Sequence, residues 1–284
     1  MRFSFVRAEK ANHAVRTLCR VLEVSRSGFY AWCKRPASKR SIEDSRLTAE
    51  VQAIFDEHKA RYGSPRITEE LQANGICIGR QRVRKLMRLA SLQARQPRSW
   101  VRTTDSNHGH PVAPNLLNRQ FDVDEPNRVW AGDITYLPTK HGWLYLAVVI
   151  DLFSRAVVGW SMSRRIDLQL TLSALDAALL RRRVLPGLIM HSDQGVQYAA
   201  GEYQARLKQH GMVCSMSRKG DCWDNAVVES FFATLKNELL AEGVFADHAS
   251  ARALVFEYIE TYYNRRRRHS TLGYLSPTAY EKAA

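Results

Sequence analysis

The sequence predicts an α/β protein in which a mixed sheet covered by helices follows an all-helical, strongly basic region. Two observations predict this class. Residues 1–120 show helical apolar patterns and hold 23 Lys and Arg against 10 Asp and Glu, a net charge of +13. Residues 121–284 hold 19 against 18, a net charge of +1, and contain β-branched and aromatic runs. This charge asymmetry favours a polyanionic partner, most often nucleic acid, although a basic surface without a partner stays an alternative.

Length and composition limit the classes of protein to which this chain can belong. A chain of 284 residues, 45% hydrophobic and 25% charged, has the composition of a globular protein with one large or two ordinary domains. No apolar run reaches the roughly 18 residues of a membrane span, and the charged start MRFSFVRAEKANH is unlike a signal peptide. The five cysteines lack zinc-finger spacing and are expected to be free thiols. We therefore expect a cytoplasmic protein that contacts no membrane.

Residues 1–93 are predicted to form a helical DNA-binding region. Residues 13–35 have the pattern of two short helices around a turn, with Ser25 as the cap of the second helix. This spacing is typical of a helix-turn-helix, which would place Arg26 at the start of the helix that faces DNA. A packed helical hairpin produces the same pattern and stays an alternative.

A strongly basic helix closes this region. After a helix from about Ile42 to Lys59, Pro65 opens a second helix and Gly79 opens a third. The cations of the third helix are Arg80, Arg82, Arg84, Lys85 and Arg88. We expect this face to lie along phosphates, although an ordinary solvated face would look the same.

Residues 94–120 are predicted to be a linker. They are rich in Pro, Ser, Thr, Asn and Arg and show no hydrophobic periodicity. His108 and His110 lie within this stretch without a nearby cysteine or acidic cluster. They are therefore interpreted as loop residues rather than as half of a metal site.

Residues 121–284 are predicted to form the mixed sheet and its covering helices. β-Branched and aromatic runs predict strands at residues 128–138, 143–154, 156–163, 188–193 and 212–217. Helices are predicted at residues 167–183, 201–211, 224–238 and 247–268. The order of three strands, a helix, a strand, a helix and a strand is that of the ribonuclease-H-like arrangement, although other α/β folds share it.

Three acidic residues occupy places where an α/β sheet exposes ligand-binding groups. Asp133 lies within the first strand, Asp193 at the end of the fourth, and Glu229 in the first turns of a helix. Each alone has a simpler explanation, as a turn former, a cap or a partner of the helix dipole. Brought together, they would form the kind of carboxylate set that binds Mg²⁺. Two such ions could activate a water or a 3′-hydroxyl and stabilise the leaving oxygen of a phosphodiester.

Four motifs carry a resemblance to a known family. They are WAGDITY, HSDQGVQY, DNAVVESFFATLKNE and YNRRRRHSTLGYLSP. The 35 residues between Asp193 and Glu229 resemble the DD(35)E triad of retroviral integrases and integrase-like transposases. The four motifs and the basic helical region at residues 13–92 resemble the second-frame, or OrfB, transposase subunit of the bacterial insertion-sequence three family. The resemblance covers nearly the whole chain.

The resemblance implies a Mg²⁺-dependent DNA strand transferase with an integrase-like, ribonuclease-H-fold core. By similarity, Asp133, Asp193 and Glu229 are the catalytic residues and the ligands of two Mg²⁺ ions, with Mn²⁺ accepted, and Lys236 contacts the transposon end. The implied partners are terminal inverted repeats, target DNA and a first-frame OrfA protein or a fusion to it. A circular intermediate before integration, a homodimer or larger assembly on DNA, and a place on the bacterial nucleoid are also expected.

Two other functions stay open from the sequence. A nuclease of the same fold would only hydrolyse DNA, and an inactive remnant would only bind it; the flanking basic helices argue against the first and the intact triad against the second. Asp151 is interpreted as a turn residue at a strand end. Asp224 and Asn225 are interpreted as caps of the helix that carries Glu229. The arginines at residues 265–268 either bind phosphates or cover the negative end of the last helix.

Overall fold

The computed structural model of this chain describes residues 1–95, 112–218, 222–240 and 243–284. Most of the predicted linker, with His108 and His110, lies outside the described residues. The α/β class, the mixed sheet and the helical region that precedes it are confirmed. None of the helices in the described ranges is long and apolar enough to cross a bilayer.

The first three helices form a small unit with its own core. They are α1 (Arg2–Glu9), α2 (Val15–Val21) and α3 (Arg26–Lys34). Val6, Leu18 and Phe29 are buried against one another in this unit. The Ser25 hydroxyl accepts a hydrogen bond of 2.9 Å from the Gly28 amide and so caps α3. The predicted pair of helices around a turn is therefore present.

The next three helices form a second unit, which packs directly onto the rest of the protein. They are α4 (Lys39–Glu57), α5 (Ser64–Ala73) and α6 (Arg80–Leu89). Leu47 of α4 and Leu86 of α6 belong to the same buried apolar cluster as Leu137 and Leu146, which are strand residues. Because this cluster is continuous, the second helical unit and the sheet share one hydrophobic core.

Five strands form a single mixed sheet. They are β1 (Val129–Thr139), β2 (Gly142–Asp151), β3 (Val157–Ser163), β4 (Ile189–Ser192) and β5 (Val213–Met216). Their spatial order is β3-β2-β1-β4-β5. The pairs β1–β2 and β2–β3 are antiparallel, whereas β1–β4 and β4–β5 are parallel. The longest strand, β1, thus lies in the middle of the sheet.

The two faces of the sheet pack against different helices. The remaining helices are α7 (Leu168–Arg181), α8 (Val196–Ala199), α9 (Gly201–Gln209), α10 (Ala226–Leu239), α11 (His248–Phe256) and α12 (Pro277–Ala283). Side chains alternate along β2, so that Leu146 and Val148 join the cluster of α10 and α11, whereas Ala147 and Val149 join that of α7 and α9. The second helical unit lies on the α10 side.

The predicted last helix is interrupted before the arginine run. A π-helix (Glu257–Tyr263) follows α11 and ends ahead of residues 265–268. Arg267 is buried and donates to both carboxylate oxygens of Glu238 at 2.8–3.1 Å. Arg268 binds Glu70 of α5 through two hydrogen bonds of 2.7 and 3.0 Å. Arg267 therefore supports the packing against α10, and Arg268 joins the run to the second helical unit, a role that neither interpretation of the run predicts.

Candidate active site

The register of the sheet places Asp133 and Asp193 next to each other. Gly132 of β1 pairs with Ser192 of β4 in parallel, and each is followed at once by an aspartate. The carboxylate of Asp133 accepts a hydrogen bond of 2.7 Å from the Ile134 amide. The carboxylate of Asp193 accepts one of 2.9 Å from the Gly195 amide. Both aspartates therefore lie on adjacent strands, each oriented by a nearby backbone amide.

Glu229 reaches the same region from α10. The apolar stripe of this helix, which includes Val228, Phe232 and Leu235, is buried against the sheet, whereas Glu229 is exposed in the first turn. The start of α10 is close to β1, since the Asn225 amide group donates to the Gly132 carbonyl at 3.5 Å. The helix therefore packs through its apolar stripe and leaves Glu229 at the edge of the aspartate pair.

The three carboxylates influence one another electrostatically. Burial raises the pKa of Asp133 well above its ordinary value, and the negative charges of Asp193 and Glu229 raise it further. The Ile134 amide and the Lys236 ammonium oppose this rise. Burial lowers the pKa of Lys236, against the attraction of Asp133. The structure therefore brings together all four residues that the sequence predicts for this place.

The donor set fits a divalent cation in its chemistry. In the described ranges, no three His, Cys, Asp or Glu side chains converge tightly enough to surround a metal ion as they stand. Like charges that repel one another raise the pKa of a carboxyl group, and a cation between them relieves that repulsion. Mg²⁺ and Mn²⁺ prefer such oxygen ligands. The raised pKa of Asp133 is thus the effect that a bound cation would cancel.

Asp224 anchors the start of α10, but in a different way from that predicted. Asn225 is the residue that precedes the helix, and its side chain makes no capping hydrogen bond. Asp224 is buried and accepts hydrogen bonds of 2.9–3.0 Å from Arg119, Arg218 and Asn115. Its hydrogen bonds with Arg218, and then those with Arg119, hold its pKa well below the ordinary value. The prediction of side-chain caps is therefore wrong, because two arginines bind Asp224 instead.

Asp151 has the structural role that the sequence predicts. It is fully buried at the end of β2 and accepts hydrogen bonds from the amides of Asn127 at 2.7 Å and Phe153 at 2.9 Å. The Trp130 indole donates to it at 3.3 Å. All three donors belong to the chain itself, so Asp151 is a turn residue in this fold.

Tyr198 is a buried neighbour of the aspartates that the sequence analysis did not select. Burial raises its pKa, and Tyr203, Asp133 and Asp193 add to the rise. It belongs to the motif HSDQGVQY, five residues after Asp193. Tyr198 lies on the short helix α8, and the spacing of residues in the sequence does not indicate that this helix is buried beside the aspartates.

The predicted DNA-contact residues of the helical units differ in their surroundings. Arg26 is exposed at the start of α3. On α6, the side chains of Arg80, Arg84, Lys85 and Arg88 are exposed. Arg82 is instead half-buried and paired with Glu43 at 2.8 Å and Asp44 at 2.6 Å, both on α4. Contact of these residues with DNA stays a prediction, and Arg82 has a structural role besides.

Three protein-family models match this chain. An integrase core domain matches residues 123–222, a second integrase core domain matches residues 210–277, and an HTH-like domain matches residues 42–100. The HTH-like match falls on α4–α6 rather than on α2 and α3. The integrase core matches cover the strands and helices that carry the three carboxylates.

Relatives and solved structures of the same kind are similar to the chain. The chain is 47% identical to the transposase InsF for insertion sequence IS3A of Escherichia coli (strain K12), over 99% of this chain and 98% of that protein. It is 45% identical to an IS600 insertion-element 31 kDa protein of Shigella sonnei, over 93% and 97%. Among solved structures, the HTLV-2 integrase catalytic core domain in complex with magnesium shares 23% identity, with a TM-score of 0.41, over 55% of this chain and 97% of that chain.

The fold and the family matches together define the class of enzyme to which this chain belongs. A helical HTH-like region followed by an integrase core on a ribonuclease-H-like mixed sheet is the organisation of a DDE-type polynucleotidyl transferase. Within this class, the chain belongs to the IS3 family of transposases.

Proposed function

We propose that this chain cleaves DNA at the ends of an insertion sequence and joins the freed 3′ ends to another strand, with Asp133, Asp193 and Glu229 as its catalytic carboxylates. One observation carries the assignment of these residues. Burial raises the pKa of Asp133, and the charges of Asp193 and Glu229 raise it further, which is an arrangement that folding alone does not need. Functional sites are where such costly like-charge groups are retained.

The three carboxylates would hold two Mg²⁺ ions, with Mn²⁺ as an alternative. These ions would supply activation of the attacking hydroxyl and stabilisation of the leaving oxygen. The Ile134 and Gly195 amides fix the carboxylates of Asp133 and Asp193 before DNA arrives. Lys236 lies on the same line of α10 as Glu229, two turns later, and is suited to contact a phosphate of the transposon end.

The helical units would provide most of the sequence-independent affinity. We propose that Arg26 of α3 and the exposed cations of α6 contact DNA phosphates, because phosphate neutralisation dominates such binding. The proposed pathway passes through a circular intermediate before integration and involves the first-frame OrfA protein and at least a homodimer on DNA. The expected location is the bacterial cytoplasm, on the nucleoid.

A strand-transfer assay tests this function. The substrate is labelled DNA from both ends of the element that encodes this chain, offered with Mg²⁺, with Ca²⁺ or with EDTA, and with or without the first-frame protein. We expect joined products with Mg²⁺ only, and we expect Glu229→Gln to abolish them while DNA binding persists. Joined products from Glu229→Gln at the wild-type level would remove Glu229 from the catalytic set.

The same assay separates transposase from the two other functions. Pre-cut ends are offered so that joining does not depend on the first cleavage. Hydrolysis products without joined products would indicate a nuclease. A separate measurement in cells tests the remnant. If Asp193→Asn leaves the activity of the protein in cells unchanged, this would indicate a remnant that only binds DNA.

A further inference from the structure

An arginine-lined groove runs along the solvent side of α10. A cavity of about 480 Å³ lies between this helix and α5, and Arg61, Arg66 and Arg95 line it together with Thr234 and Asn237. A second cavity of about 280 Å³ shares Arg66 and Thr234 with the first and adds Arg155. We call the two cavities together the α10 groove. Arg267 also lines both cavities but is paired with Glu238, and we call the four other arginines, Arg61, Arg66, Arg95 and Arg155, the groove arginines. Ser230, the residue after Glu229, lines both cavities.

The groove arginines are not neutralised by carboxylates. None of the four forms an ion pair within the described residues. Glu238 also lines the larger cavity, but Arg267 and the Tyr258 hydroxyl already bind its carboxylate at 2.8–3.1 Å. The groove therefore carries a large excess of positive charge in a partly desolvated place.

The fold holds three of the groove arginines, Arg61, Arg66 and Arg95, in position. Arg61 is 8% exposed and stacks on Tyr262 with 4.4 Å from its guanidinium carbon to the ring centroid. Arg66 donates to the Arg268 carbonyl at 2.9 Å, and Arg95 donates to the Glu238 carbonyl. A buried Nε of Arg61 has no hydrogen-bond partner in the described part of the chain. These contacts orient the cations without cancelling their charge.

Burial and the neighbouring positive charges together lower the pKa of basic groups in this groove. Burial and the nearby charge of Arg267 lower the pKa of Arg66, and burial and Arg61 lower that of Arg95. Burial, followed by Arg267, Arg66 and Arg155, lowers the pKa of His269. A bound anion would relieve this repulsion, just as a cation would relieve the repulsion among the carboxylates.

The surroundings of the groove favour a polymer with several phosphates over a single small anion. The first turn of α5 lies at the groove through Gly63 and Pro65, and no side chain caps this helix. Helix N-termini attract phosphate. A further cavity of about 770 Å³, lined by Arg84, Lys85 and Arg88 of α6, shares Gly63 with the groove. Basic groups thus continue from α6 to the helix that carries Glu229.

We propose that the α10 groove binds the backbone phosphates of the DNA strand that leads to the three carboxylates. The proposal rests on the proposed function for the identity of the polymer. The groove arginines hold that DNA strand along α10, so that the end of the strand lies beside Glu229. Along α10 the groove spans from Ala226 to Asn237, on the order of 16 Å, which is room for several nucleotides.

Salt-dependent DNA binding tests the groove without any chemistry. The full chain is titrated with a short fluorescent DNA duplex of arbitrary sequence in EDTA over a range of salt concentrations. For Arg66→Gln, Arg95→Gln and the double variant, we expect the slope of log affinity against log salt to fall by about one for each arginine replaced. Affinity at fixed salt should fall about tenfold for each. The control Arg183→Gln/Lys208→Gln removes two exposed cations near α7 and α9, across the sheet, and should change the affinity much less.

A charge added to the groove separates DNA binding from structural support. Thr234→Glu places a carboxylate among the groove arginines, and Thr234→Ala is its neutral control. We expect Thr234→Glu to weaken DNA binding about tenfold or more while its melting temperature equals or exceeds that of the control, because the new charge relieves the repulsion. If the arginines only supported the fold, Thr234→Glu would bind DNA as the control does, and the proposal would be overturned. An unchanged salt slope in the Arg66→Gln/Arg95→Gln variant would also overturn it.

The outcome is independent of the proposed catalytic function. Normal strand transfer by the wild type with unchanged binding by the groove variants would remove the groove and leave the catalytic proposal standing. Weakened DNA binding by the groove variants, together with no strand transfer by the wild type, would support the groove proposal and contradict the catalytic proposal.

Discussion

Two glutamates on α10 have opposite surroundings. Glu229 is exposed, and its charge, like that of Asp193, raises the pKa of Asp133 beyond the effect of burial. Glu238 is 3% exposed, and Arg267 and the Tyr258 hydroxyl bind it. One helix therefore carries a carboxylate that lies close to two other carboxylates and a carboxylate that Arg267 neutralises.

The buried glutamate shows what a charge that supports the fold requires. A buried charge that only supports the structure needs a partner, since an unpaired charge costs several kcal/mol. Groups of like charge reduce stability and persist where a ligand compensates them. The arginines divide in the same way, because Arg267 is paired with Glu238 whereas Arg61, Arg66 and Arg95 have no carboxylate partner in the described ranges.

The largest expected effect is on catalysis, from Asp133→Asn. Loss of this proposed ligand should reduce strand transfer on the order of a thousandfold or more, because metal stabilisation would contribute several kcal/mol to the transition state. In EDTA the same variant should have an equal or higher free energy of unfolding, since it removes the negative charge of Asp133 from its like-charged neighbours. Strand-transfer rates and urea unfolding measure the two. Asp176→Asn on α7, paired with Arg206, is the control and should keep full activity.

The second largest effect is expected on stability, from Glu238→Gln, which removes the buried ion pair with Arg267. The free energy of unfolding should fall by about 3–5 kcal/mol, because Arg267 would be left buried without its counter-charge. Urea unfolding measures this loss. The double variant Glu238→Leu/Arg267→Met should recover much of it. A double variant as unstable as Glu238→Gln would show that packing, rather than charge balance, explains the effect.

A smaller loss is expected for Asp224→Asn at the start of α10. Removing the charge weakens the hydrogen bonds from Arg119 and Arg218 and should lower the free energy of unfolding by about 1.5–3 kcal/mol at neutral pH. The comparison is Asp44→Asn, whose pair with Arg82 is near the surface and should contribute less to stability. Equal losses in the two variants would mean that burial of Asp224 does not strengthen its ion pairs.

The smallest expected effect is on pH dependence, from His191→Gln. Burial lowers the pKa of His191 to about 4, from an ordinary value of 6.5, while nearby Asp224 opposes this shift. The unfolded chain thus binds more protons between these values, so stability falls as pH falls through this range. Urea unfolding should show that His191→Gln loses about 1 kcal/mol less than the wild type between about pH 6 and pH 5. Identical pH slopes would show that His191 does not remain neutral in the folded chain.

Much of the fold was predictable from local pattern. The five strands and the helix that carries Glu229 lie close to the predicted bounds, because alternating and helical apolar patterns are properties of short stretches. The break of the last helix into a π-helix was missed, since Tyr258, Tyr262 and Tyr263 fit an ordinary helical stripe equally well. Local pattern did not predict the ion pairs of Arg267 and Arg268, because their partners, Glu238 and Glu70, are distant in sequence.

The sequence by itself determined the family and the two-part charge distribution and predicted the three carboxylates, because motifs and spacing are local information. Only the tertiary structure decided which charges meet. The parallel register of β1 and β4 aligns Asp133 with Asp193, and the packing of α10 adds Glu229 to one side and the groove arginines to the other. The physical reason is that Coulomb energies depend on distance in space and on burial, and neither can be obtained from the order of residues along a chain.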